Sequence, residues 1–260
     1  MKRLFPRFAR LGLIAAAAAA SSASLTGSSL QAAPPASHFA VAPGVGAPTM
    51  LRLTERDVTV SNQKAAAAYN ALVTMWSRDL KQIGARFVAP DLVPYRGAVR
   101  TRCGIMAPSN ASYCYNGNTI YFDDIFLASQ AKIAGAALGT DGDMVGVGII
   151  AHEMGHAVAM QLGHISRNSY ENESTADCLA GAFTRQAQRD GELEKGDIEE
   201  AFFGMAAAGD PTPGPTGDPR TDARLSRRLA RGAHGTREQR QQNFRTGLEG
   251  GGKACLAELP

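Results

Sequence analysis

No C-x-x-C pair occurs in this 260-residue chain, although it holds four cysteines, at 103, 114, 178 and 255. That removes the usual spacing of a cysteine zinc site. Long apolar runs are missing too. The stretch Leu11–Ala20 covers about ten residues, about half of what a bilayer crossing requires. No twin-arginine pair precedes it and no cysteine follows it closely, which argues against twin-arginine export and a lipoprotein anchor. Aromatic residues make up only 7% of the chain, and none interrupts the arginine-rich run Arg220–Arg231. A nucleic-acid surface of basic and stacking residues is therefore not expected, and the run reads as a solvated helix face. No internal repeat is visible.

What the first residues do contain is a secretory pattern. Lys2, Arg3, Arg7 and Arg10 form a basic head, the apolar stretch follows, and small residues including Ala23 and Ala32 offer cleavage positions. We expect a signal peptide over 1–33, a Pro/Ala/Gly-rich linker over 34–50 and one domain over 51–260. An uncleaved anchor is the competing reading of the same head. The head carries four of the 27 Lys and Arg, and residues 1–33 contain no Asp or Glu, so 23 cations face 24 anions in the remainder. The formal charge of +3 thus belongs to the export signal. The expected location is secreted or periplasmic, with no stable membrane span once the signal is cleaved. An even cysteine count in an exported chain points to disulfides. Three pairings are available; Cys103–Cys114 closes a short loop and is favoured, which leaves Cys178–Cys255 to tie the end of the chain to the core.

The periodicity predicts a helix from an N-cap at Ser61 to about Leu80, on which Ala68, Leu72, Met75, Trp76 and Leu80 share a face. Phe87–Tyr95 holds two prolines and reads as an extended loop, and Gly97–Cys114 as irregular. Asn116-Gly117-Asn118 signals a tight turn between Ser112–Tyr115 and a strand Thr119–Phe122. Further helices are expected over Asp123–Ala137, from about Asp143 through Met160, over Tyr170–Arg189 and over Asp197–Ala208. Shorter ones fit Ala223–Leu229 and Thr236–Leu248, with Gly250–Gly252 ending the last. The Pro-rich stretch Asp210–Arg220 should be irregular. The sum is a helix-dominated α+β domain with a small sheet or hairpin.

The chemistry concentrates in His152-Glu153-Met154-Gly155-His156, an H-E-x-x-H pattern inside an apolar helical run. Four residues advance a helix by about 400°, so the two imidazoles stand one turn apart on one face, where both can reach a single Zn²⁺. Glu153 lies beside the first of them, placed to take a proton from water at the metal during attack on a carbonyl. Catalytic zinc usually has three protein ligands and one open position. The third candidate comes from Glu173-Ser174-Thr175-Ala176-Asp177-Cys178, which opens the following helix. Glu173 would complete the set of one zinc per chain, and Asp177, one turn on, would accept the remaining N–H of a zinc histidine and fix its tautomer. Glu171 and His164 compete less well for the third position. Taken alone, Glu173 and Asp177 would be an ordinary acidic first turn. His234 is a candidate donor to the oxyanion of a tetrahedral intermediate. Tyr121 lies on the strand expected to border the cleft.

These residues resemble a bacterial family known as the putative neutral zinc metallopeptidases, in which H-E-x-x-H is followed by E-x-x-x-D and then Cys. The similarity rests on Cys103-Gly104, Tyr113-Cys114, Ile120–Asp123, the HEMGH run, Glu173–Ala182, Gly196–Ala201, His234-Gly235, Arg240 and Cys255. It implies a zincin-like fold and peptidase activity. The chain departs from the family pattern at Ala157, where a second His is usual after the motif, and at Ala233-His234-Gly235-Thr236, which stands for Thr-His-Gly-Ser.

The expected function is that of an exported zinc endopeptidase acting on a protein or peptide substrate. A cell-wall peptide amidase would use the same residues, and a zinc-containing binding or scaffold protein would use the metal without turnover. Glu153 argues against the scaffold, since a structural site has no use for a carboxylate beside an open metal position. No residue pattern marks a specificity pocket or an oligomeric state.

Overall fold

A computed structural model of the protein describes residues 52–210, 216–232 and 234–260. The signal segment and linker expected over 1–50 lie outside the described residues. Among them are eight α-helices, five strands and one 3-10 turn. In chain order these are α1 (Glu55–Gln82), β1 (Asp91–Tyr95), β2 (Val99–Thr101), β3 (Gly104–Met106), β4 (Ala111–Cys114), the turn Tyr115–Gly117, and β5 (Thr119–Asp123). Seven helices follow: α2 (Asp124–Leu138), α3 (Asp143–Gln161), α4 (Ser169–Arg189), α5 (Asp197–Ala207), α6 (Pro219–Gly232), α7 (Arg237–Gly250) and α8 (Gly252–Cys255). The fold is the helix-dominated α+β arrangement anticipated. Among the described residues no helix is long and apolar enough to cross a membrane.

The centre of the domain is α3. Fourteen of its nineteen residues are buried, so it shows no polar stripe; a helix apolar on all sides belongs inside a core. Around it pack α1, α2, α4 and α5, together with β4 and β5. The neighbour α1 buries Ala65, Ala68, Leu72, Met75, Trp76 and Leu80 along one face. It starts two turns before the expected Ser61. Thr54 caps it, accepting from the Asp57 N–H while the Asp57 carboxylate takes the Thr54 N–H, a reciprocal cap that needs only Thr-x-x-Asp.

The sheet runs in the order β1-β5-β4, with β1 parallel to β5 and β4 antiparallel to it. The extended reading of Phe87–Tyr95 becomes a strand over its second half. Pro94 is accommodated because β1 is an edge strand, where a missing N–H costs no ladder bond. The segment expected to be irregular forms the small β2–β3 hairpin before β4. Two disulfides are present: Cys103–Cys114 fastens that hairpin to the end of β4, and Cys178–Cys255 joins α4 to α8. The latter closes a separation of 77 residues, a restriction of the unfolded chain worth about 4 kcal/mol on an entropic account. The glycine run that ends α7 also begins α8, at Gly252. Helix α6 is longer than expected, and Arg220 and Arg224 on it are exposed.

One helix junction, between α4 and α7, is closer than side chains allow. A β-carbon on Gly181 of α4 would stand 2.0 Å from the carbonyl oxygen of Phe244, and one on Gly247 of α7 would stand 1.8 Å from that of Cys178. The two helices therefore touch backbone to backbone. Gly247→Ala must push them apart, and we expect a loss of about 3 kcal/mol in urea unfolding, at the upper end of ordinary overpacking costs.

The N-terminus of α3 is held by a residue from another helix. Gly142 occupies the cap position and offers no side chain; the fully buried Glu200 of α5 accepts the N–H groups of Gly142 and Met144 at 3.0 and 2.9 Å instead. A carboxylate there also complements the positive end of the helix. Asp141, Asp143 and Asp197 crowd around it, with Lys64 paired to Asp143. Burial pushes the Asp197 carboxyl up to about 7 against the Glu194 N–H, which favours its anion; Asp143, Glu200 and Asp141 add to the rise. A carboxyl raised from 3.8 to about 7 favours unfolding progressively as pH climbs between those values, and the full penalty persists above. Asp197→Asn keeps the acceptor for Glu194 and removes the charge. Its unfolding free energy should exceed that of the parent by about 2 kcal/mol at pH 8 and match it at pH 4.

Candidate metal centre

Helix α3 delivers His152 and His156 to its surface facing α4, and α4 returns Glu173 and Asp177. The partners match in reverse order, His152 with Asp177 and His156 with Glu173, so the helices are antiparallel. The seven residues between them turn at Asn168, whose side chain caps α4 through the Tyr170 N–H. Close approach is again built into the backbone: a β-carbon on Gly155 would lie 2.9 Å from the Ala176 carbonyl oxygen and 3.0 Å from its α-carbon.

Three potential ligand residues meet at this junction. His152 Nε2 lies 3.1 Å from His156 Nε2 and 3.1 Å from Glu173 Oε2, and His156 Nε2 lies 3.4 Å from Glu173 Oε1. The rings stand edge to face at 89°. Bonds of about 2.0–2.1 Å to a tetrahedral zinc separate neighbouring ligands by about 3.3 Å, so the contacts among the three residues, which use one oxygen of Glu173 toward each histidine, already have the length of such an edge. The lone pairs of the trio make the same point. His152 Nδ1 is 2.9 Å from Asp177 Oδ1; with the proton on that nitrogen, Nε2 presents a lone pair. Glu173 Oε2 is buried and lacks a hydrogen-bond donor although His152 Nε2 is close by. Atoms that only accept do not gather at this range unless a cation or a proton lies among them.

A proton can meet that need, and the local field shows how strong the need is. Burial opposes charge on His152, but the bond to Asp177 and then the nearby carboxylate of Glu173 outweigh it and push the imidazole up to about 10. Burial also opposes the Glu173 anion, yet His152 and His156 hold its carboxyl well below the usual carboxylate range. The residues present therefore fit a zinc ion held by His152, His156 and Glu173, which would bind in place of that proton.

Glu153 lies next to this trio in sequence and is 7% exposed. Its Oε2 accepts the backbone N–H of Tyr113, on β4, at 2.7 Å. In the β4–β5 ladder the Asp123 N–H donates to Asn110, and the register alternates from there. The backbone groups of Ala111 and Tyr113 thus face away from β5, toward Glu153. The strand at the edge beside the site is β4; Tyr121 sits on the central strand, with β1 and β4 on either side.

The two competitors for the third ligand position, Glu171 and His164, have other partners, and the oxyanion candidate His234 lies apart from the trio. Glu171 accepts from Ser166 Oγ and Asn168 Nδ2 in the α3–α4 connection. His164 pairs with Glu258. His234 is exposed, with Nδ1 3.5 Å from Asp210 Oδ1 rather than among the trio.

Two groups at the site had no role in the sequence reading. One is the Tyr113 N–H, a backbone donor that no motif reveals. The other is Arg240 of α7, 4% exposed, whose Nε lies 3.1 Å from Asp177 Oδ2 and whose Nη2 lies 2.6 Å from Asp177 Oδ1. It stands 63 residues from Asp177 in the chain, which explains why local spacing said nothing of it.

Glu173→Gln keeps the shape of the side chain and removes the charge. Zinc affinity, measured by competition with a chromophoric chelator, should fall at least about 100-fold, since an amide oxygen is a far poorer zinc ligand than a carboxylate. Glu171→Gln should leave it unchanged.

Comparison with known proteins extends the picture. The model of a family described as "Putative neutral zinc metallopeptidase" matches residues 54–257. Two curated proteins, both named "Uncharacterized protein YpfJ", from Escherichia coli strain K12 and strain O6:H1, are each 30% identical over 234 residues. The alignment covers 80% of this chain and 76% of each relative. No solved structure matches.

Proposed function

The chain belongs to the putative neutral zinc metallopeptidase family, and on that premise we propose that it is an exported zinc-dependent peptidase, with one zinc held by His152, His156 and Glu173 and with Glu153 as general base. The observation that carries this reading is the meeting of His152, His156 and Glu173 through acceptor atoms 3.1–3.4 Å apart, beside a carboxylate fixed by a strand edge.

Zinc, when bound, supplies the Lewis acidity that activates water and polarises a scissile carbonyl. The protein's own groups do the rest. Asp177 accepts the His152 Nδ1–H and keeps Nε2 free to ligate. Glu153 takes a proton from water as the new C–O bond forms and passes it to the amide nitrogen as the C–N bond breaks. The outward backbone groups of β4 other than the Tyr113 N–H, which Glu153 takes, give an extended peptide an edge to lie against, which favours a peptide substrate over a compact one. Export is supported by the basic-apolar-small order of the first residues and by two disulfides, which persist in oxidising compartments.

Glu153→Gln tests the assignment of the base. The variant should retain about one zinc per chain while hydrolysis of labelled casein and of a degenerate quenched-peptide library falls about 10²–10⁴-fold. Loss of zinc would make Glu153 a ligand, and undiminished hydrolysis would remove it as the base.

A further inference from the structure

We infer that Arg240 is a positioning residue of the metal centre, clamping the carboxylate of Asp177 so that His152 is presented to zinc in a single orientation and tautomer. The inference rests on the zinc reading above and extends the site from two helices to three.

Asp177 is fully buried, and an anion without water needs a counter-charge and several donors. Arg240 supplies both. Its Nε and Nη2 bond the two carboxylate oxygens side by side, and Nη1 donates to the carbonyl of Ala208, at the end of α5, at 3.2 Å. The fork fixes the plane of the carboxylate, and the bond to Ala208 fixes the fork. Arg240 Nη2 also lies 3.2 Å from His152 Nδ1. Two donors cannot bond each other, so both N–H groups converge on Asp177 Oδ1, at 2.6 and 2.9 Å. With Oδ1 held there, the His152 ring cannot turn without losing its bond. The same Nη2 is 3.9 Å from Glu173 Oε2, so one cation borders the carboxylates of both Glu173 and Asp177. A lysine would offer a point charge without the fork.

The guanidinium reaches this place because α7 lies against α4 at Gly181 and Gly247 and because Thr236 caps α7 one turn before Arg240. Arg240 touches neither substrate nor, by these distances, the metal position; its effect on zinc passes through Asp177 and His152.

The test is a double-mutant cycle on the full chain with zinc dissociation constants as the readout, measured by chelator competition alongside thermal unfolding of the metal-free proteins. Arg240→Gln and Asp177→Asn should each weaken zinc about 10–100-fold, as loss of a ligand's orienting partner does. The double variant should be within about threefold of Asp177→Asn, because the two residues act as one unit. Full additivity, or a folded Arg240→Gln that binds zinc as the parent does, would overturn the inference. Should Arg240→Gln fail to fold, Arg240→Lys carries the test. We expect at least a tenfold loss of zinc affinity with the metal-free unfolding temperature near that of the parent, and an unchanged affinity would overturn the clamp. A parent chain that binds no zinc would sink the zinc reading, and this inference with it. Zinc binding by the parent with indifferent Arg240 variants would sink the inference alone.

Discussion

The backbone of α3 meets that of α4 at Gly155 and Ala176, where a β-carbon would stand 2.9 Å from a carbonyl oxygen. This contact falls in the middle of the site: Gly155 lies between His152 and His156, and Ala176 between Glu173 and Asp177. The separation of the two helices is thus also the separation of the ligands. An extra methyl at the junction would push the helices apart by about half an ångström, more than the roughly 0.2 Å within which zinc–ligand distances are held, and so would disturb the placement of Glu173. The packing of small residues and the assembly of the charged groups are one arrangement, described once through backbone atoms and once through side chains.

A second junction makes the first one rigid. At Gly181 and Gly247, α4 lies against α7 as closely as two backbones can, and Cys178 at the same level is tied to Cys255 of α8. Interiors are close-packed and have little room to relax around a displaced helix. The side of the site made by α4 therefore cannot drift toward solvent independently of the C-terminal helices. That matters because the groups gathered here, with two carboxylates of α4, a third on α3 and the guanidinium of Arg240, are costly to bury unless each meets its partner. Fixed distances make the burial tolerable.

Which parts of this were legible in the sequence follows from how local each constraint is. The spacing of His152 and His156, and of Glu173 and Asp177, is a property of one helical turn, and such pairs can be read without knowing the fold. The hairpin of β4 and β5 was legible for the same reason, through Asn116-Gly117-Asn118. What escaped was set by distant partners. β1 pairs in parallel with a strand 28 residues on, and neither its proline nor its short length signals that. The start of α1 was placed at Ser61 although Thr54 and Asp57 carry a capping pair; the alanine-rich run after Ser61 is the stronger periodic signal, and it drew the boundary inward. Arg240 appeared only as a position shared with a family, because nothing near it in sequence says that a buried carboxylate 63 residues away requires a guanidinium.

The two halves of the proposed chemistry are governed by different layers of the fold. Helix packing fixes the proposed metal ligands. Glu153 shares a helix with the histidines but lies about 100° round from His152, so α3 alone would leave its carboxylate free to swing toward the cation and become a fourth ligand. The Tyr113 N–H prevents this by holding one oxygen at 2.7 Å from the edge of the sheet. The position of the base is then a property of β4, and β4 is secured by its ladder to β5 and by the Cys103–Cys114 bond at its end. A base anchored to the strand edge against which a peptide can lie is also held in register with that peptide. Alignment of the proton acceptor with the scissile bond then follows from strand geometry rather than from any contact with substrate side chains.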